Sequence, residues 1–402
     1  MRTLGDQFAF EYGKSIVGQP VTPENFDQRL EWTEDWSSAD AANNRDVKQL
    51  YQLVARFQLS ALVDFITTQS DPETAKTLKT QYRSRIEALG YSFDEEDSAF
   101  SKLWRSATDP TYVAQKAYAK MESVSADLLR SDWVGAQFTA AVSTQILQPG
   151  FTLYNVVGPG FSGVRLVKGD HKDNARIGHE VVMGGGISNE VIDRRYDGTL
   201  VADAVGTYST GAQKLTDMVI HRGYMVSYFF SEREGLAFFT STGQLKILNL
   251  HDLTSDRLAA VGFTNLAPDS QLNIDIRLAD FITFTSQAKR ERLSVMQGHL
   301  LLYNGDIMLG SDSATARDKR RMLLDFGKDQ FGLLDFGDNN ITLYEAATIA
   351  KNLGAVSAMN LDTGFYDYGR IRTTSGSEIA LGMRDKERSN NKIVLFEGAA
   401  PP

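Results

Sequence analysis

Asp362 and Asp367 are two carboxylates flanking the turn Thr363-Gly364-Phe365-Tyr366, directly after the apolar run Ala358-Met359-Asn360-Leu361. That run reads as a short buried strand, and a carboxylate at the end of a buried strand is held rigidly, as a chemical site requires. Such a group can act as acid, as base, or as stabiliser of positive charge developing on a sugar ring. Asp367 would supply a second carboxylate, Tyr366 a ring on which a sugar stacks, and Gly364 the turn beside the ligand. The plainer alternative is that Asp362 caps its own turn by accepting main-chain N–H groups. Upstream lies the densest basic cluster, Arg317, Lys319, Arg320 and Arg321. A guanidinium held at the start of a strand can grip a phosphate with two parallel hydrogen bonds, which a lysine cannot. Arg317 to Arg320 read as a solvated basic loop, and Arg321 heads the strand that follows.

Other residue patterns offer less. Gly184-Gly185-Gly186 follows a strand-like run but lacks the Lys-Ser/Thr of a P-loop and the GxGxxG spacing, so it reads as a turn. The histidines, His171, His179, His221, His251 and His299, are scattered and form no HExxH pair. His171 with Asp170 and Asp173 reads as solvated loop rather than a cation site. No metal ligands are expected from the sequence, and a cofactor or divalent-metal requirement is left open.

The elements that must position these groups are legible. His299 to Tyr303, Met322 to Phe326 and Phe331 to Phe336 are strand-like apolar runs. Thr342 and Glu345, three positions apart, form a capping box that starts a helix whose apolar stripe includes Leu343, Ala346, Ala347, Ile349, Ala350 and Leu353. Gly354 closes it.

This order of residues, LLLYNGDIM, then Arg321-Met322-Leu323, then NNITLYEAATIAKNLGAVSAMNLDTG, resembles the phosphodiester glycosidase domain family. Upstream, Met225 to Phe230, Gly235-Leu236 and the Gly243 turn are similar to that family's Asn-Gly-Gly-Phe-Phe region and the strand after it. The resemblance covers residues 215–397. It implies hydrolysis of a sugar-1-phosphodiester or a related glycan, with Asp362 as the carboxylate and Arg321, aligned with the family's arginine, as the phosphate clamp. Val226 or Ser227 stands where the family has Asn, and Thr363 where Gly is usual.

The rest of the chain sets the frame. Its 402 residues, 42% hydrophobic, can bury sizeable cores and suggest two or three domains. A net charge of −9 argues against general nucleic-acid binding. Zero cysteines exclude disulfides, thiolate zinc sites and a cysteine nucleophile. Residues 1–42 read as an extended polar arm in which Trp32 and Trp36 either anchor a neighbouring subunit or fold back on their own domain. Residues 43–148 read as a helical domain: one helix from Val47 to Ser70, a second begun by Asp71-Pro72 and ended at Gly90, a short third near Ser98 to Arg105, and a fourth from Asp109-Pro110 to Leu147. Residues 149–402 are dense in short strands, with 149–214 either part of the same domain or a separate β module. The fold class is therefore α+β: a helical N-terminal domain, then a mixed, mostly antiparallel β-rich domain with a few helices. The start shows no secretory signal and no window reaches the roughly 20 apolar residues of a membrane span, so a soluble protein is expected. Expected partners are a glycan or sugar-phosphate ligand and a homo-oligomer or larger assembly. A second reading makes the chain a structural component of a bacteriophage tail or other virion that keeps the fold without catalysis.

Overall fold

The computed structural model describes residues 20–38, 45–69, 71–89, 141–158, 161–182, 186–209, 215–228, 230–309, 316–364, 367–382 and 389–399. Its contacts divide the chain into two units, Met1–Gln115 with Gln271–Ser286, and Lys116–Ser270 with Gln287–Pro402. Among the described residues no helix is long and apolar enough to cross a membrane.

The first unit is helical. Helices α1 (Phe26–Ser38), α2 (Arg45–Thr67) and α3 (Pro72–Ala88) bury Phe26, Leu30, Leu62, Val63, Ile66, Tyr82 and Ile86 in one cluster. The start of α3 is as the sequence predicts: Pro72 needs no N–H at the first helical position, and Asp71 accepts from Thr74 N at 3.1 Å. Arg85 of α3 reaches Glu34 of α1 at 2.7 Å and Asp27 at 2.6 Å. The expected extended arm is corrected in its second half, because Trp32 and Trp36 lie one turn apart on α1 with ring centroids 5.1 Å apart. The third helix and most of the fourth lie outside the described residues. The end of the fourth is also corrected. Ala141–Gln148 is a strand, β1, paired with β2 (Phe151–Gly158). Its β-branched and polar residues suit a pleated edge, and Pro149-Gly150 makes the hairpin turn, Gly150 at φ 79°.

The second unit is built on two sheets, and every strand pairing among the described residues is antiparallel. The larger sheet has 12 strands, with β3 (Phe161–Asp170), β13 (Gln330–Asp335), β12 (Arg321–Gly327), β14 (Ser357–Asn360), β10 (Ser294–Tyr303), β6 (Val219–His221) and β7 (Tyr224–Ser227) following β1 and β2. Strands β8 (Gly235–Phe239) and β11 (Asp306–Ile307) also pair with β10, and β9 (Leu245–Asn249) pairs with β8. The smaller sheet runs β16 (Glu378–Gly382), β15 (Tyr368–Arg372), β5 (Leu200–Val205), β17 (Asn391–Glu397), β4 (Ala175–Val181). Residues 149–214 do not stand apart as a module: β2 and β3 join the large sheet through Val167 opposite Leu333, and β4 and β5 flank β17.

Side-chain alternation along the strands explains how both faces of the large sheet are buried. Val167, Leu323, Leu333 and Met359 point into a core shared with Ala202, Ala204, Ile393 and Leu395 of the small sheet. Their neighbours Leu166, Met322, Leu324, Leu334 and Ala358 point the other way, onto the helix Leu343–Asn352. The helix Leu278–Arg290 begins in the segment assigned to the first unit; among the described residues of the second, the helix Leu343–Asn352 follows the helices Asn189–Arg195 and Ser255–Ala259. Its capping box is present, Glu345 N donating to Thr342 Oγ1 at 3.0 Å and Thr342 N to Glu345 Oε2 at 2.9 Å. Each fully buried leucine contributes about 1.5–3 kcal/mol relative to exposure. The layer of Leu323, Leu324, Leu333 and Leu334 thus fixes β14 between β12 and β10, and β14 carries the chain to Asp362.

Candidate functional site

Asp362 leaves β14 at the place the sequence predicts. Leu361 N donates to Arg321 O at 2.9 Å and Asp362 N to Gly206 O at 3.0 Å, so the main chain is held on both sides as it exits the strand. The Asp362 side chain is 5% exposed. Its Oδ1 accepts from Gly364 N at 2.9 Å, the turn cap, and its Oδ2 accepts from Ser209 N at 3.2 Å. Burial raises the Asp362 pKa above the usual carboxylate value, opposed by those two N–H groups and by Arg233, and reinforced by Asp217.

Around it, ends of strands from both sheets converge. Thr207 to Ser209 follow β5, Asp217 precedes β6, and Arg233 precedes β8. Asp217 is fully buried, accepting from Thr207 Oγ1 at 3.0 Å and from Arg233 Nη1 at 2.6 Å. The guanidinium of Arg233 also lies over the Tyr208 ring, 4.0 Å from its centroid, a cation–π contact. Tyr208 in turn accepts from Asn360 Nδ2. Burial raises the Tyr208 pKa, so the phenol keeps its proton. Gln297 of β10 holds the loop that carries Arg233: its Oε1 accepts from Met218 N at 3.3 Å and Ser231 N at 3.2 Å, and its Nε2 donates to Ser231 O at 3.1 Å and Arg233 O at 2.6 Å. Two polar atoms of this cluster, Asn360 Oδ1 and Ser209 Oγ, are buried with no partner among the described residues.

Arg233 opens onto a cleft of about 690 Å³ whose wall includes Phe230, Glu232, His299 and Met308. That volume lies within the roughly 300–1,000 Å³ of small-molecule sites. Asp362 does not line the cleft. Arg233 does, with 31% of its side chain exposed, and it connects the cleft to the buried carboxylates.

Arg321 and Asp367 belong to a different cluster. Arg321 is 1% exposed, and its Nη2 lies 2.9 Å from Asp335 Oδ1 and 2.9 Å from Asp367 Oδ1. Its Nε donates to Asp335 Oδ1 at 3.0 Å and its Nη1 to Tyr368 O at 3.2 Å. The approach to Asp367 is ionic rather than a directed hydrogen bond, since Asp367 Oδ1 has no donor aligned with it. Burial raises the Asp367 pKa against the pull of Arg321. The sequence therefore grouped Asp362, Asp367 and Arg321, whereas the structure gives the first to the Arg233 cluster and pairs the other two with Asp335. Gly364 serves the turn through its N–H, and Tyr366 lies outside the described residues. The remaining basic cluster is an exposed salt-bridged loop, Arg317 to Glu345 at 2.8 Å and Lys319 to Asp338 at 2.8 Å. Among the described residues no group of three or more His, Asp or Glu is arranged to hold a metal ion. Of the Gly184-Gly185-Gly186 turn only Gly186 is among the described residues.

Thr207, Tyr208, Asp217, Arg233 and Gln297 were not singled out from the sequence, because they converge from separate loops and form no local pattern. Asn360 lay inside the matching motif and was the one signal available.

No protein-family model and no curated protein matches the sequence. Among solved structures, the chain is similar to the catalytic domain of zebrafish N-acetylglucosamine-1-phosphodiester alpha-N-acetylglucosaminidase, auto-inhibited by its pro-peptide, at 12% identity and TM-score 0.40 over 64% of this chain and 82% of that one. It is similar to a putative exported protein from Burkholderia pseudomallei at 10% identity and TM-score 0.40, over 65% of this chain and 97% of that one. A hypothetical protein from Synechocystis matches at 14% identity and TM-score 0.36, over 66% of this chain and 63% of that one. The likeness is a distant one of fold and transfers no residue role.

Proposed function

We propose that the cleft takes a glycan carrying a phosphodiester and that Asp362 and Arg233 cleave its sugar–phosphate bond. The observation that carries this reading is a buried carboxyl with a raised pKa within electrostatic reach of an arginine that faces the cleft. Water adds to the anomeric carbon as the bond from that carbon to the phosphate oxygen breaks. The leaving oxygen is protonated from Asp362 by way of water between the cleft and that carboxyl, solvent returns a proton to Asp362 as the attacking water loses one, and the products are the free sugar and a phosphomonoester. Arg233 faces the phosphate charge in the role the sequence suggested for Arg321. Tyr208 and Asp217 hold that guanidinium in place.

A second reading rests on the same carboxylate. Both oxygens of Asp362 accept main-chain N–H groups, as in a scaffold turn, which suits a chain that binds a glycan, or serves a larger assembly, without hydrolysis. The experiment is release of free sugar from a panel of sugar-1-phosphodiesters by the purified chain, beside its Asp362→Asn variant. Turnover lost in the folded variant supports hydrolysis. No turnover from the folded chain, with saturable binding of the same compounds, supports the second reading.

A further inference from the structure

A second pocket, of about 170 Å³, lies between β4, β8 and the start of β10 and is lined by His179, Glu180, Tyr196, Arg222, Ser241 and Arg292 among others. It is too small for an oligosaccharide, being below the usual range for organic ligands, and has room for a tetrahedral anion with a short substituent or waters.

Its charge is positive. Among the described residues of the wall Glu180 is the one carboxylate, and it is engaged: Oε1 accepts from Tyr196 Oη at 2.6 Å and Arg222 Nη2 at 3.1 Å, and Oε2 accepts from Arg195 Nη1, with His221 Nε2 at 4.0 Å. Arg195 and Arg222 thus both contact this carboxylate, and Arg292 lines the same pocket. The guanidinium of Arg292 has no ion pair or hydrogen bond among the described residues. Arg222 and Arg292 both adopt the left-handed backbone conformation, φ 49° and 54°, which non-glycine residues rarely take. They are set side by side, because Gly223 N donates to Leu293 O at 2.6 Å and Arg222 N to Ser294 Oγ at 2.9 Å.

His179 supplies the discriminating atom. It is 3% exposed and stacks on Phe239, ring centroids 5.5 Å apart. Asn391 Nδ2 donates to Thr207 O at 3.1 Å and to Asn390 Oδ1 at 2.8 Å, so Asn391 Oδ1 is an acceptor, and it takes Thr207 N at 2.7 Å. His179 Nε2, 3.2 Å from that oxygen, therefore carries the ring proton by assignment from the network. Nδ1 is left as a buried lone pair with no donor among the described residues. Burial, together with His221, lowers the His179 pKa to about 4, which keeps the ring neutral.

We propose that this pocket binds a protonated phosphate group, as the free ion or as the end of a small phosphomonoester, its P–OH donating to His179 Nδ1 and its other oxygens facing Arg222 and Arg292. This pocket shares no lining residue with the cleft beside Arg233, and the proposal does not depend on the function proposed there.

The test is calorimetric titration of the full chain with inorganic phosphate, sulfate and glycerol phosphate at constant ionic strength. Phosphate should bind saturably and sulfate at least about tenfold more weakly, because an unprotonated oxygen meets the His179 lone pair without a proton between them. Arg292→Gln, a change at an exposed side chain, should weaken phosphate binding about tenfold while leaving the melting temperature without phosphate unchanged. The 15N resonance of His179 Nδ1 should move on adding phosphate. Tighter binding of glycerol phosphate than of phosphate assigns the monoester end, and the reverse assigns the free ion. Equal binding of phosphate and sulfate that Arg292→Gln does not change, or no saturable binding of any of the three, overturns the proposal.

Discussion

Two arginine–aspartate clusters lie at the two ends of the turn between Asp362 and Asp367, and they differ in one respect above all. Arg321 is enclosed, with Asp335, Asp367 and the Tyr368 carbonyl around its guanidinium. Arg233 is paired with a fully buried aspartate on one side and exposed to a cleft on the other. Charge type and partners are alike, so the sequence cannot separate them. What separates them is access: a cation whose donors are committed inside the fold stabilises the fold, and one that keeps a face toward solvent can meet a ligand.

The largest effect that would sharpen this contrast is on catalysis. Asp362→Asn should lower turnover of a sugar-1-phosphodiester about 10²–10⁴-fold, the usual worth of a positioned proton donor, with the circular dichroism spectrum unchanged. The pH profile carries the same information. Burial lifts the Asp362 pKa above 3.8, and a proton donor is active while protonated, so the rate should fall as pH rises through that raised value. That alkaline limb should be missing from the residual activity of Asp362→Asn; a limb that persists there breaks the assignment of Asp362 as donor.

Next in size, Arg321→Ala should lower the free energy of unfolding by about 3–5 kcal/mol in denaturant titration, since it strands two buried carboxylates. Loss of activity in Arg321→Ala at unaltered stability would reverse the comparison and make the enclosed cluster the ligand site. Gln297→Leu should cost about 1–3 kcal/mol through unpaired main-chain groups, and should raise KM by releasing the Arg233 loop. If KM stays at its original value, the loop does not depend on Gln297. The smallest change is Thr342→Ala, which removes half of a capping box whose residues belong to neither cluster and should cost about 1 kcal/mol with kcat unaffected.

Local rules reached far into this chain. Thr342 with Glu345, Asp71 with Pro72, and the alternating leucines of β12 and β13 each carry their signal within a few residues, and each element formed accordingly. The same holds for Asp362 at the exit of a short apolar strand. What escaped was of longer range. Asp217 meets Arg233 beyond the intervening β6 and β7, and Thr207 meets Asn391 across 184 residues of sequence, so no spacing rule links them. Ala141–Gln148 was misassigned because a short apolar run next to a helical pattern has no distinctive period, and only its pairing with β2 decides it. Arg321 was placed correctly at the head of a strand, but its enclosure depends on Asp335 and Asp367 arriving from β13 and the later turn.

Strand β14 is four residues long and lies between β12 and β10 with both faces covered. Its amides should therefore exchange with deuterium only when the whole unit opens, whereas those of the Ser231 to Glu234 segment, outside the strands, should exchange through smaller local openings. The carboxylate and the arginine proposed to act together are thus attached to parts of the molecule with different lifetimes. One is as persistent as the fold itself, and the other can be repositioned many times before the fold is lost.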